Sequence, residues 1–189
     1  MKDIAIEAVL NRAGCLEVSN QEDKYNKSYF HFVEYFRNRQ ELTEHDLIIA
    51  ANFTYGWMPT ILNFKTNEFG KSVSILNQCK SNIRISDDDL KTLKKLINNS
   101  LVGTSKLLHF INPDVYAIWD SRVCKFLTGK SKVENIQSYW DYLDLCHRIK
   151  QDSKFLDIHT KHKNRVGFDF SPMRTIEQIM FINSNKPLL

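Results

Sequence analysis

Apolar residues spaced three and four apart recur along most of this chain, while sustained apolar–polar alternation does not occur. One such stripe runs from Ile4 to Ala13, and "YFHFVEYFRNR" from Tyr29 to Arg39 carries the next. "LTEHDLIIAANFTYGW" predicts a helix with Thr43 as N-cap, because Asp46 falls three residues later in capping-box register. That helix should end near Gly56, with Pro59 a little beyond. "SDDDLKTLKKLINNS" puts Ser86 and three acids at a helix start and its lysines later, in accord with the helix dipole. "QSYWDYLDLCHRIKQD" is amphipathic, and "SPMRTIEQIMFIN" opens with Ser171 as N-cap and Pro172 in the first turn. Only "KSVSILNQCKSNIRI" leaves a choice, between a short strand and another helix. The expected class is all-α.

The pattern is densest between residues 87 and 127. A helix ends at Asn98-Asn99-Ser100, and Gly103 is placed for a tight or positive-φ turn. A second helix, Thr104 to Ile111, stops at Asn112-Pro113. An apolar crossing through Val115, Tyr116, Ile118 and Trp119 then delivers Asp120 to the start of a third helix at Ser121-Arg122-Val123.

Composition narrows the class further. At 189 residues, 42% hydrophobic and 25% charged, the chain suits a soluble globular protein of one domain, or of two small lobes sharing a core. No apolar run is long enough for a membrane span and the N-terminus lacks a signal-peptide core, so a cytoplasmic location is expected. Cys15, Cys79, Cys124 and Cys146 form no C-x-x-C pair, and the last two sit in apolar-periodic segments as core thiols. No Gly-rich phosphate loop or G-x-S-x-G elbow is present, which removes nucleotide-hydrolase, kinase, Rossmann and serine-hydrolase readings. His159 and His162 lie three apart in a basic, loop-like stretch and are not taken as metal ligands; neither metal nor organic cofactor is expected. Net charge is only +4, but His147 to Arg165 holds six Lys or Arg against Asp152 and Asp157, a candidate phosphate-binding face.

The region from 87 to 127 resembles the helix-hairpin-helix DNA glycosylases, and within them the subset with an oxoguanine-glycosylase-like fold. Leu101-Val102-Gly103-Thr104-Ser105-Lys106 stands at the L-P-G-[VI]-G hairpin, and Ile118-Trp119-Asp120-Ser121-Arg122-Val123 at the V-D-[TS]-x-[VI] segment. The chain differs in having one hairpin glycine, no hairpin proline and a Lys106-to-Asp120 spacing about a turn shorter. The resemblance implies a single domain over 1–189: two helical lobes, a helix-hairpin-helix motif and a cleft between the lobes. It implies a monomer acting on double-stranded DNA with the target base flipped out. The activity would be hydrolysis of the N-glycosidic bond of a damaged or modified base, in repair or in defence against phage with modified DNA.

On that resemblance Asp120 is the catalytic carboxylate, and Lys106 the amine of an accompanying abasic-site lyase activity. Backbone N–H groups around Val102, Gly103, Thr104 and Ser105 would hold a phosphate at a helix N-terminus, with Lys125, Lys130 and Arg165 adding phosphate contacts. Asn52, Tyr55 and Trp57 are the candidate base pocket. Each has a plainer reading: Asp120 as a helix cap, Lys106 as an exposed or phosphate-binding lysine, the aromatics as core. Trp119 is expected to pack the helix joint and His109 to be a satisfied core residue. The alternative functions are a non-catalytic helix-hairpin-helix DNA-binding module and a helical interaction protein that does not touch nucleic acid.

Overall fold

Where the sequence carries a capping signal, a helix begins. In the computed structural model, which describes residues 2–18, 24–58, 60–81, 83–167 and 169–188, the elements are α1 (Lys2–Leu10), α2 (Cys15–Val18), α3 (Lys24–Arg37), α4 (Glu44–Gly56), α5 (Phe69–Cys79) and α6 (Asp87–Leu96). They continue as α7 (Leu101–Ile111), α8 (Ser121–Thr128), α9 (Ile136–Ile149), α10 (Ser153–Val166) and α11 (Pro172–Ile182). The protein is all-helical. Among the described residues the one extended pairing outside helices is an isolated bridge between Phe64 and Ile97. The ambiguous "KSVSILNQC" is helix α5. Helix α4 ends at Gly56, as expected, and Pro59 lies outside the described residues.

Thr43 and Asp46 close the predicted box, each side chain accepting from the other's backbone N–H. Ser86 caps α6 and Ser171 caps α11, with Pro172 at the first position. Local signals of this kind are worth about 1 kcal/mol each.

Two compact units emerge. The middle unit is Lys24–Tyr116, and the terminal unit joins Met1–Asp23 to Ala117–Leu189. In the middle unit α7 packs against α3, α4, α5 and α6. Leu101, Leu107, Leu108 and Phe110 are fully buried on it, which makes α7 the axis of that core. At roughly 1.5–3 kcal/mol per buried large side chain, that face anchors the unit. Asn112 ends α7 and ties it to its neighbour, its Nδ2 donating to the Cys79 and Ser81 carbonyls at 3.0 Å each.

In the terminal unit α11 plays the matching part against α2, α8, α9 and α10. It buries Met173, Ile176, Ile179 and Met180 together with a paired Arg174 and Glu177. A buried ion pair of this kind persists because each charge satisfies the other out of water.

The basic stretch expected to be loop-like is helix α10, and its two histidines face inward. His159 Nδ1 shares a hydrogen bond with Thr175 Oγ1 at 2.8 Å, and His162 Nε2 with Gln178 Oε1 at 2.9 Å. One rung of each pair comes from α10 and the other, again three residues apart, from α11. Burial, aided by Lys163, lowers His159 to about 4, and burial likewise lowers His162. Both are therefore neutral struts at pH 7.

Candidate active site

Asp120 ends a run that is sealed from water. Val115, Tyr116, Ala117, Ile118 and Trp119 are all 7% exposed or less. Buried backbone polar groups need partners, and with no sheet beside it this run draws them from side chains. In the middle unit His109 Nδ1 donates to the Tyr116 carbonyl at 2.6 Å, while its Nε2 accepts from the Tyr29 hydroxyl at 2.9 Å. In the terminal unit Tyr139 donates to the Ala117 carbonyl at 3.4 Å and Tyr142 to the Ile118 carbonyl at 3.0 Å. Trp119 Nε1 donates to Val133 O at 2.8 Å, packing the joint as expected.

Held by this run, Asp120 is half-buried and caps α8. Its Oδ1 accepts from the N–H groups of Arg122 and Val123, both at 2.9 Å. Its Oδ2 accepts no hydrogen bond from the described residues. The carboxylate is thus fixed by one oxygen at the positive end of a helix while the other is uncommitted.

The hairpin is built differently from the expectation. α7 begins at Leu101, not Thr104, with Ser100 as N-cap. The left-handed turn residues are Asn98 and Asn99, at φ 56° and 52°, and Gly103 lies inside the first helical turn. Its lack of a side chain answers a different need: a Cβ there would sit 2.5 Å from the Tyr55 hydroxyl oxygen. Gly103 is what lets α7 approach α4. Its N–H donates to Ser100 Oγ and that of Thr104 to Ser100 O, both at 3.1 Å. The side chains of Thr104 and Ser105 are buried and bond back to the Ser100 and Val102 carbonyls; Val102 is half-buried. Asn98 also clamps the preceding loop, donating to Ile61 O and accepting from Asn63 N.

Of the candidate base-pocket residues, Trp57 is half-buried at the C-cap of α4, and Lys106 lies over its ring at 5.7 Å from the centroid. Tyr29 and Phe110 flank the same indole at centroid distances of 6.4 and 5.1 Å. Tyr55 is a packing residue, 3% exposed, its hydroxyl donating to Ile97 O at 3.3 Å. Asn52 is exposed and its amide bonds to Ile48 O one turn back. Trp57 and Lys106 are therefore brought together, while Tyr55 packs against Gly103.

The remaining candidates lie in the terminal unit. Lys125 is half-buried and reaches Asn185 Oδ1 at 3.4 Å; Lys130 is exposed. Arg165 donates to the Leu16 and Glu17 carbonyls, closing the end of α2. Lys163, on the same helix, is paired with Asp169. The basic stretch thus spends part of its charge on the fold. Burial raises the thiols of Cys15, Cys79, Cys124 and Cys146, Cys79 to about 12, so none is a ready thiolate nucleophile. Among the described residues no group of three His, Cys, Asp or Glu is placed to hold a metal, and no helix is long and apolar enough to cross a membrane.

Sequence reasoning missed Tyr29, Tyr139 and Tyr142. The last two sit three apart in "QSYWDYLDL", a spacing that puts both hydroxyls on one helix face. Comparison of the chain with protein-family models, with curated protein sequences and with solved structures gives no match.

Proposed function

We propose that the protein is a DNA glycosylase of helix-hairpin-helix type, hydrolysing the N-glycosidic bond of a damaged or modified base flipped out of double-stranded DNA. The observation that carries this reading is the Asp120 carboxylate, anchored through Oδ1 by two backbone N–H groups, with Oδ2 uncommitted and a fully buried run behind it. Breaking the bond between sugar C1′ and the base nitrogen leaves positive charge on the sugar. A fixed carboxylate stabilises that charge and takes the proton of the attacking water, while the base departs with the bonding electron pair. Burial of the preceding residues strengthens the field of the carboxylate by keeping water from one side of it.

Lys106 is the amine for a lyase step, attacking the sugar carbon to form a Schiff base after base loss. Its place over Trp57 sets this amine beside the ring on which the flipped base would stack. Trp57 offers the face on which a flipped base stacks. Exposed Lys130, with half-buried Lys125 on the same stretch, would add phosphate contacts. Action in repair and action against phage with modified DNA both follow from this chemistry.

The alternative is a helix-hairpin-helix module that holds DNA without breaking a bond. It is favoured by the completeness of the cap: Oδ1 of Asp120 satisfies both N–H groups it can reach. Mass spectrometry of bases released from a panel of damaged and naturally hypermodified DNAs separates the two readings. The glycosylase reading expects one base to appear and Asp120→Asn to abolish it. Retained binding with no base released from any DNA would favour the module. Borohydride trapping tests the lyase step: an adduct lost in Lys106→Ala supports it, and an intact abasic site without an adduct removes it.

A further inference from the structure

Residues 61–67, between α4 and α5 in the middle unit, alternate in exposure. Ile61, Asn63, Lys65 and Asn67 are exposed, and Leu62, Phe64 and Thr66 are half-buried. A period of two is the mark of a pleated, extended chain. One edge of this segment is paired with the turn between α6 and α7. Lys65 N–H donates to Leu96 O at 2.9 Å and Asn98 N–H to Asn63 O at 3.1 Å, with Phe64 opposite Ile97. The Asn98 side chain completes that edge through Ile61 O and Asn63 N. In this register the odd-numbered residues turn their main-chain groups toward the turn, and Leu62, Phe64 and Thr66 turn theirs the other way. Those three make no hydrogen bond through N–H or C=O among the described residues. Main-chain groups without a protein partner stand in water, so the segment is a sheet edge open along its outer side.

Two side chains on the exposed face define what this edge accepts. Ile61 is 90% exposed, an apolar group without cover. Lys65 is exposed and makes no ion pair among the described residues. A lysine here opposes a second copy of the chain, because two copies meeting antiparallel about Phe64 would carry both ammoniums on one face of one ladder. The same charge favours an acid from a different chain. The geometry points to this edge as the docking site of an extended peptide from a partner protein, added antiparallel as a further strand. Pleating sets the partner's pattern. Its residue opposite Phe64 exchanges two main-chain hydrogen bonds with it. That residue and those opposite Leu62 and Thr66 are apolar, closing over the half-buried side, while an acid faces Lys65 and an apolar residue faces Ile61. None of these residues serves DNA binding or base release in the glycosylase reading, so the two stand or fall separately.

The test is titration of the full ¹⁵N-labelled chain with acetyl-Val-Glu-Val-Thr-Val-Leu-amide, read by NMR. This peptide sets its central valine opposite Phe64, its glutamate opposite Lys65 and its leucine opposite Ile61. Saturable shifts are expected at the amides of Leu62, Phe64 and Thr66. N-methylation of the central valine removes the donor to Phe64 O and should weaken binding about tenfold or more. N-methylation of the threonine, whose N–H points away from the edge, should change it by less than about twofold. Lysine in place of the peptide's glutamate should weaken binding about threefold, and Lys65→Glu, an exposed substitution, should reverse the preference between the two peptides. The proposal is overturned if these amides show no saturable shifts, if the two N-methylated peptides bind alike, or if Lys65→Glu keeps the parent's preference. It is overturned as well if the chain alone sediments as a dimer with these amides protected from exchange, since a second copy would then hold the edge.

Discussion

Asp120 and Asp152 are the same cap in two settings. Each starts a helix, and each accepts through Oδ1 from the second and third N–H groups of that helix, at 2.9 and 2.9 Å for Asp120 and 2.9 and 3.4 Å for Asp152. Both are half-buried. They differ in what comes before. Asp152 follows a tight turn from α9 through Lys150 and exposed Gln151. Asp120 follows five buried residues, Val115 to Trp119, and the carbonyls of three of them, Tyr116, Ala117 and Ile118, are met by His109, Tyr139 and Tyr142. Capping therefore explains why an aspartate stands at both positions and cannot by itself assign chemistry to either. The extra structure invested behind Asp120, absent behind Asp152, is what asks for a second role.

The largest expected contrast lies in the residues just before the two caps. Trp119→Ala removes a fully buried indole and its hydrogen bond to Val133 O, and should destabilise by about 3–5 kcal/mol in urea denaturation. Gln151→Ala, at the equivalent place before Asp152, should stay within about 0.5 kcal/mol. Equal effects would erase the distinction between the two sites. Next in size, Tyr142→Phe leaves the Ile118 carbonyl without its donor and should cost about 1–3 kcal/mol by the same measurement.

The pH response separates the two regions in another way. His159 and His162 on α10 are held below the usual histidine range by burial, His159 at about 4. The unfolded chain takes up protons near pH 6.5 that the folded one refuses. The stability tied to neutral histidines is therefore whole above about pH 6.5, falls as pH drops, and is lost by about pH 4. His159→Gln should flatten that part of the stability curve. Asp46 in the middle unit acts in a lower window. Burial alone would raise its carboxyl, but hydrogen bonds from Thr43 and Tyr35 and the Arg39 charge outweigh this and hold it at about 2. Its contribution is present above pH 4 and is lost between about pH 4 and 2, a second step that His159→Gln leaves untouched.

How far the sequence carried depended on the distance between a signal and its cause. The Thr43–Asp46 box, the Ser86, Ser171 and Asp120 caps and the Asn112-Pro113 stop were all legible, because every group involved lies within about four residues. Gly103 was misread. A glycine in an apparent turn reads as backbone freedom, but its reason is the ring of Tyr55, distant in sequence. The α10 stretch was misread as loop because its lysines hide the inward stripe of Phe155, His159 and His162. Two histidines behave as core residues there only because Thr175 and Gln178 receive them, and no local pattern announces that. Of the site, the Asp120 cap and the Lys106–Trp57 neighbourhood were within reach; the tyrosines and the histidine that fix the run before Asp120 were not singled out for that task.

The smallest expected stability effect accompanies the sharpest functional one. Asparagine caps about as well as aspartate, so Asp120→Asn and Asp152→Asn should each shift stability by only a few tenths of a kcal/mol. Base release should tell them apart. With DNA carrying the base the parent protein excises, released base is quantified by mass spectrometry for both variants at matched DNA occupancy. Release should fall by about a hundredfold or more in Asp120→Asn and stay unchanged in Asp152→Asn. Undiminished release from Asp120→Asn, or an equal loss in both, would contradict the catalytic role of Asp120.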